Sequence, residues 1–189
     1  MISVEEKLNT RNNDMEIRKL QKEDLETRVL WMNDPKIYSS MHFEVPILMT
    51  KTIQWYENNL SNENRYDVTV LEDGEIVAFG GYTSINREVG KAETYLFADP
   101  FHLHKGIGTR AKKLICQIGF EQLRLNKLYF ITNEDNYASI RVNEKCGFKL
   151  EGRMRQEYIT KDGERKDRLY FGLLKEEWAN SRTASDENK

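Results

Sequence analysis

Asp99-Pro-Phe-His-Leu-His-Lys-Gly-Ile-Gly-Thr109 lies between an apolar strand, Tyr95-Leu-Phe97, and an amphipathic helix, and its reading decides the fold. After the turn, apolar residues recur at Ile107, Ala111, Leu114, Ile115, Ile118 and Leu123, which places them on one helical face. Gly106 and Gly108 therefore fall at a helix N-terminus. Glycines there let successive backbone N–H groups converge, and the helix dipole adds partial positive charge in the same direction. The segment predicts an anion site suited to phosphate oxygens. Of Lys105, Arg110, Lys112 and Lys113, one or two are expected to reach a second phosphate and the others to be solvated. Neither a complete Gly-x-Gly-x-x-Gly nor a Gly-Lys-Ser/Thr signature is present. On this segment alone a plain strand-to-helix turn stays equally open.

The chain has 189 residues, 39% of them hydrophobic, enough for one domain with a proper core and too few for two comfortable ones. Charged residues make up 32% but nearly cancel to a net charge of -2, which argues against a nucleic-acid or anionic-membrane binder. No apolar run approaches the roughly 20 residues of a membrane span, and the start, Met1-Ile-Ser-Val-Glu-Glu, lacks a signal-peptide layout. A cytoplasmic location is expected. The two cysteines, Cys116 and Cys146, sit in apolar surroundings and read as buried free thiols. Three histidines, at 42, 102 and 104, are too few to suggest a metal site.

The ordered domain is expected over 14–178, with polar tails at 1–13 and 179–189. Met15 to Leu20 reads as a strand and Asp24 to Met32 as a helix with Leu25, Val29 and Met32 inward, stopped by Asn33-Asp-Pro35. Thr50 to Leu60 reads as a second helix with Ile53, Tyr56 and Leu60 on one face. Strands follow at Arg65 to Leu71, Glu75 to Ser84 and Lys91 to Ala98, with Asp73-Gly74 and Val89-Gly90 as turns. Beyond the glycine helix come a strand over Lys127 to Thr132, a helix over Tyr137 to Lys145, a short strand at Phe148 to Leu150, and a hairpin of Arg153 to Thr160 with Arg165 to Leu174.

Three pieces of this sequence resemble the GCN5-related N-acetyltransferases, and more narrowly their RimJ/RimL-like branch. They are Lys105-Gly-Ile-Gly-Thr109, then Asn136-Tyr-Ala-Ser139 running to Glu144-Lys-Cys-Gly-Phe148, and Glu151-Gly152 followed by the late hairpin with Asp167 and Tyr170. The resemblance implies an α+β fold, with a central, mostly antiparallel mixed sheet flanked by helices and two strands splayed apart at an acyl-CoA site. It also implies that Leu103, His104, Lys105, Gly106, Ile107, Gly108 and Thr109 bind the CoA pyrophosphate, with Leu96, Phe97, Asn136 and Asn143 along the rest of the cofactor. The sequence departs from the family at Leu103 and His104, where Gln or Arg and Gly are usual. It departs again at Asn143, where many relatives carry a Tyr that protonates the leaving thiolate.

The reaction so implied is direct attack of a primary amine on an acetyl-CoA or other short acyl-CoA thioester in a ternary complex. A lysine-like amine has a pKa of about 10.4, so only about one molecule in 10³ is the free nucleophile at pH 7. A base is needed, and Glu93, on the strand leading into the turn, is the candidate; a solvated or ion-paired strand residue is the competing reading. The oxyanion donor is expected from the backbone N–H of Leu96 or Phe97. Tyr137, Ser139 or water is the expected acid. Asn136 serves as well as a helix cap.

For the acceptor, the resemblance points to the early helices, the segment between them and the late hairpin: Trp31, Met41, His42, Phe43, Glu44, Tyr158 and Tyr170. Trp31 and Tyr56 read as core rather than pocket, as aromatic residues on a helix face more often are. Trp31-Met-Asn-Asp-Pro35 with Met41 is similar to acyltransferases of nucleotide-linked amino sugars in surface-polysaccharide synthesis, the first expectation. Phe43-Glu-Val-Pro46 is similar to polyamine acetyltransferases; a polyamine of spermidine type or a protein N-terminus is the alternative. A non-catalytic CoA-binding module is the alternative of another class. The partner is thus expected to be a small-molecule amine, and the late hairpin leaves a homodimer in view.

Overall fold

A computed structural model describes residues 10–12, 15–41, 44–102, 106–160 and 162–186. Eight strands form one sheet: β1 (Thr10–Asn12), β2 (Met15–Lys19), β3 (Tyr66–Glu72), β4 (Glu75–Asn86), β5 (Lys91–Ala98), β6 (Lys127–Asn133), β7 (Lys149–Ile159) and β8 (Arg165–Leu174), in the order β1-β2-β3-β4-β5-β6-β8-β7. All neighbours run antiparallel except β5 and β6. That one parallel pair requires a crossover. The crossover is α4 (Ile107–Gln117), which starts at the glycine turn and continues into a π turn over Ile118–Gln122.

The other helices are α1 (Leu25–Met32), the single turn α2 (Pro35–Tyr38), α3 (Met49–Asn59), α5 (Tyr137–Glu144) and α6 (Lys175–Asp186). Alternation along β5 assigns the two faces of the sheet. Ala92 and Leu96 join the larger core with α4, around Ile115, Phe130 and Phe148, while Tyr95 and Phe97 join the smaller core with α1 and α3. Trp31 meets Phe79 edge to face at 5.2 Å in that smaller core, a contact contributing about 0.5–1.5 kcal/mol beyond burial. Asp24, ahead of α1, ties the entry of this layer to the sheet: it takes two hydrogen bonds from Arg18 (2.7 and 2.8 Å), one from the Gln21 N–H (2.9 Å) and one from Thr69 Oγ1 (2.7 Å).

Several expectations change. The fully buried residues of α1 are Leu25, Arg28 and Trp31, and Met32 packs half-buried against the same core as expected. Arg28 takes an inner place expected of Val29; a hydrophobic pattern cannot nominate an arginine for an inner face. Leu60 is exposed, since α3 ends at Asn59. The short strand at 148–150 and the following hairpin arm are one strand, β7, whose pairing with β8 shifts register between Leu150 and Gly152 and again between Met154 and Tyr158. The polar C-terminal stretch is helical to Asp186, and Trp178 anchors it on Phe120 with ring centroids 5.3 Å apart. Both cysteines are free and buried.

Candidate functional site

The parallel pairing of β5 and β6 stops after three pairs, Lys91 with Lys127, Ala92 with Leu128, and Glu93 with Tyr129. Beyond that point β5 pairs only with β4, out to Ala98, and β6 only with β8, out to Asn133. Two strand edges with unclaimed backbone groups thus face each other across a cleft. The glycine turn sits where β5 passes into α4. Gly106 caps α4 in the left-handed region (φ 74°), with nothing within 4 Å of where a Cβ would stand. At Gly108 a Cβ would touch only Val142, at 3.5 Å. Among the described residues, packing therefore does not demand glycine at 108, and none of them crowds the N-terminus of α4, where an anion would bind.

On the α1 and α3 face, Glu93, Tyr95 and Phe97 look into a cavity of about 660 Å³. Arg28 and Met32 from α1, Met41 and residues 44–48 from the connecting segment, Lys51, Thr52 and Trp55 from α3, and Arg65 and Thr83 complete its wall. Glu93 is half-buried, and its Oε2 accepts a 3.5 Å bond from Thr83 Oγ1. Burial pushes its carboxyl above the usual carboxylate range, against the opposing pull of Arg168, the Thr83 hydrogen bond and Lys112. Arg65 is neutralised by a two-pronged bridge to Asp67 (2.8 and 2.9 Å), and the same carboxylate accepts the Tyr95 hydroxyl. Arg28 has no such partner among the described residues: it is buried, its Nη1 makes no hydrogen bond to them, and its guanidinium lies 5.1 Å from the rings of both Trp55 and Phe97.

The cavity gathers Glu93, Phe97, Met41 and Glu44 from the expected site. His42, Phe43, Leu103, His104 and Lys105 lie outside the described residues. Trp31 is not in the cavity wall; it is core against Phe79. Tyr170 stacks on Tyr129 at 5.0 Å, and Tyr158 pairs with Lys166 on the hairpin; neither lines the cavity. Leu96 turns to the opposite face and packs near Gly80. Ile107 is buried in the core, while Thr109 lends its carbonyl to the Cys146 thiol at 3.7 Å. Tyr137 is 68% exposed on α5. Asn136 caps α5, its Oδ1 accepting the Ser139 N–H at 3.2 Å.

Asn143 is buried; its Nδ2 donates to the Ser139 carbonyl at 2.8 Å, and its Oδ1 has no partner among the described residues. An orphaned buried acceptor suits an amide N–H of the kind the pantetheine arm of CoA carries. With the open α4 terminus and the cleft between unpaired strand edges, it makes this chain fit an acyl-CoA. Of the cations after the turn, Lys112 departs most from the expected solvated or phosphate-reaching place. Arg110 is ion-paired with Glu72, Lys113 is exposed, and Lys112 is fully buried. Nothing in its sequence context signals that burial except its place, one residue after the inward Ala111 and two before the inward Leu114.

The model of the GNAT acetyltransferase domain matches residues 14–149. An uncharacterised N-acetyltransferase p20 of Bacillus licheniformis is 28% identical over 168 residues, 86% of this chain and 94% of that protein. The spermidine N(1)-acetyltransferase of Escherichia coli K12 is 28% identical over 145 residues, 77% of this chain and 78% of that protein. In fold, the chain superposes with a TM-score of 0.83 on a Vibrio cholerae spermidine N-acetyltransferase in complex with CoA and spermine, at 21% identity, covering 89% of this chain and 99% of the other. These matches do not support the first expectation of a nucleotide-linked amino sugar; of the two named for an acceptor, both are named for spermidine. They bear on the superfamily and not on the RimJ/RimL-like branch. No helix among the described residues is long and apolar enough to cross a membrane. The chain belongs to the GNAT acetyltransferases, and it is an N-acetyltransferase that takes its acyl group from an acyl-CoA.

Proposed function

We propose that the chain transfers acetyl from acetyl-CoA to a primary amine of a small, flexible polyamine, by direct attack within a ternary complex and with Glu93 as the base. The observation that carries this is the place of Glu93: a carboxylate on the wall of the 660 Å³ cavity, at the last residue of β5 that pairs with β6. The acyl donor and the acceptor would meet there, one in the cleft and the other in the cavity. Burial raises the Glu93 carboxyl, narrowing its gap to the amine it must deprotonate and making it a better base than a solvated carboxylate. The N–H of Leu96 or Phe97, on the part of β5 that β6 leaves unpaired, is the donor for the oxyanion. Glu44 adds a second carboxylate, and Trp55 and Tyr95 add aromatic faces, both suited to a chain of methylenes and ammonium groups. The spermidine acetyltransferases among the relatives support the same acceptor class.

Arg28 favours a second reading. A buried guanidinium with an unpartnered Nη1 beside the cavity suits an amine that also carries an anionic group. Thiol release from acetyl-CoA, measured with spermidine, putrescine, lysine and an N-terminal peptide, tests both readings and the catalytic assignment. Fastest release with spermidine supports the proposal, and preference for lysine supports the second reading. Tight CoA binding with no turnover on any amine would leave a binding module.

A further inference from the structure

Lys112 points from α4, fully buried, toward the place where β5 and β6 part. Its Nζ donates to Thr94 Oγ1 at 2.6 Å, and Thr94 Oγ1 in turn donates to the Tyr129 carbonyl at 3.1 Å. The same Nζ lies 5.5 Å from the ring centroid of Phe130 and 4.8 Å from that of Phe148. Thr94 and Phe130 are the first residues of β5 and β6 beyond their last pair, Glu93 with Tyr129. The ammonium is therefore bracketed by the two sides of the opening. It is 1% exposed, and no carboxylate lies within ion-pairing distance of it among the described residues.

Burying an ammonium with one neutral hydrogen bond and two ring faces is costly unless an anion joins it. Among the described residues no carboxylate pairs with it directly, and Glu93 acts on it only at longer range. The reaction supplies a transient anion, because breaking the thioester leaves the electron pair on sulfur. Where the family resemblance leads one to expect a Tyr that protonates that sulfur, this chain has Asn143, whose amide has no proton of that acidity to give. We propose that Lys112 takes the place of that acid, its ammonium stabilising and then protonating the departing CoA thiolate.

The step balances as follows. The amine nitrogen bonds to the carbonyl carbon, the C–S bond breaks with its electrons on sulfur, and a proton passes from Lys112 Nζ to sulfur. The proton lost by the amine goes to Glu93 and returns to Nζ through water, so both side chains end as they began. The titratable groups around Nζ are Glu93 on β5, Cys116 on α4 itself and Cys146 after α5. Burial pulls the ammonium down to about 8 against their pull upward, close to the acidity a proton donor needs at neutral pH. This inference rests on acyl-CoA as donor and not on which amine accepts.

The test is a pH titration of the thiol of CoA bound to the protein, read by thiolate absorbance, so it needs no acceptor and no turnover. In the wild-type complex the thiol should ionise about 1–3 pH units lower than in the Lys112→Met complex. Lys112→Met should keep the fold, because methionine fills similar space without a charge, and should lower kcat about 10²-fold. Equal ionisation in the two complexes overturns the proposal. If the variant fails to fold, the wild-type complex against free CoA decides: ionisation no lower than in free CoA overturns it, and ionisation at lower pH upholds it.

Discussion

Glu93 and Tyr129 form the last pair between β5 and β6, and from that pair the two halves of the site diverge. Between the strands beyond it lies the cleft, and on the α4 side the buried Lys112 bonds to Thr94, the first β5 residue past that pair. Toward α1 and α3 lies the cavity, entered by the Glu93 side chain. A two-residue repeat along one strand thus sends Glu93, Tyr95 and Phe97 to the face of α1 and α3 and Thr94 and Leu96 to the other.

Glu93→Gln separates stability from activity. Because burial raises the folded carboxyl, its stabilising contribution is fully present below the ordinary glutamate pKa of about 4.3 and is lost as pH rises through the raised folded value. The variant should therefore unfold at the same or higher urea concentration than wild type at pH 7, with the gain vanishing in acid. A variant destabilised at pH 7 would make Glu93 a structural residue.

Arg28→Met asks what the guanidinium beside the cavity is for. If the acceptor is a polyamine, the variant should keep or raise the rate with spermidine, since a positive charge leaves a site that must hold cations. Cadaverine and lysine differ by one carboxylate, and their rate ratio gives the complementary readout. A wild-type preference for lysine of about 10-fold or more, abolished in the variant, would establish an anionic acceptor instead, one good charged hydrogen bond being about 1.5–3 kcal/mol.

Gly106→Ala addresses the turn. A left-handed φ of 74° costs a residue with a Cβ roughly 1–2 kcal/mol, so either the turn shifts or the fold carries the strain. Calorimetry should show acetyl-CoA affinity falling about 10-fold, the equivalent of about 1.4 kcal/mol. Unchanged affinity would mean that the turn does not cradle the donor.

Asp24→Asn tests the tie between α1 and the sheet. Burial pushes this carboxyl up, but the bonds from Arg18, Thr69 and the Gln21 N–H outweigh it and hold it below the usual range. Such a group stabilises above the unfolded aspartate pKa of about 3.9 and loses that contribution as pH falls through the lowered folded value. Chemical denaturation should show a loss of about 3 kcal/mol at pH 7, shrinking in acid.

The strand, glycine turn and helix from Tyr95 to Leu114 were legible because three local signals coincide there: an apolar run, a residue type that permits left-handed φ, and a helical repeat. The place of Glu93 on the strand ahead of the turn was also within reach, although its cavity was not. What escaped depends on partners distant in sequence. Arg28 and Lys112 are buried by rings from other elements, Trp55 and Phe97 for the one and Phe130 and Phe148 for the other, and a charge in a helix otherwise reads as solvated. The continuation of α6 beyond Trp178 was missed because Phe120, 58 positions earlier by number, supplies its anchor.

The most direct measurement is the rate of thiol release from saturating acetyl-CoA with spermidine, compared between wild type and Glu93→Gln across a spermidine titration. The account predicts turnover by wild type and a kcat lower by about 10²–10⁴-fold in the variant, with acetyl-CoA affinity unchanged. Equal kcat in the two proteins, or no turnover of any primary amine by wild type, would contradict it.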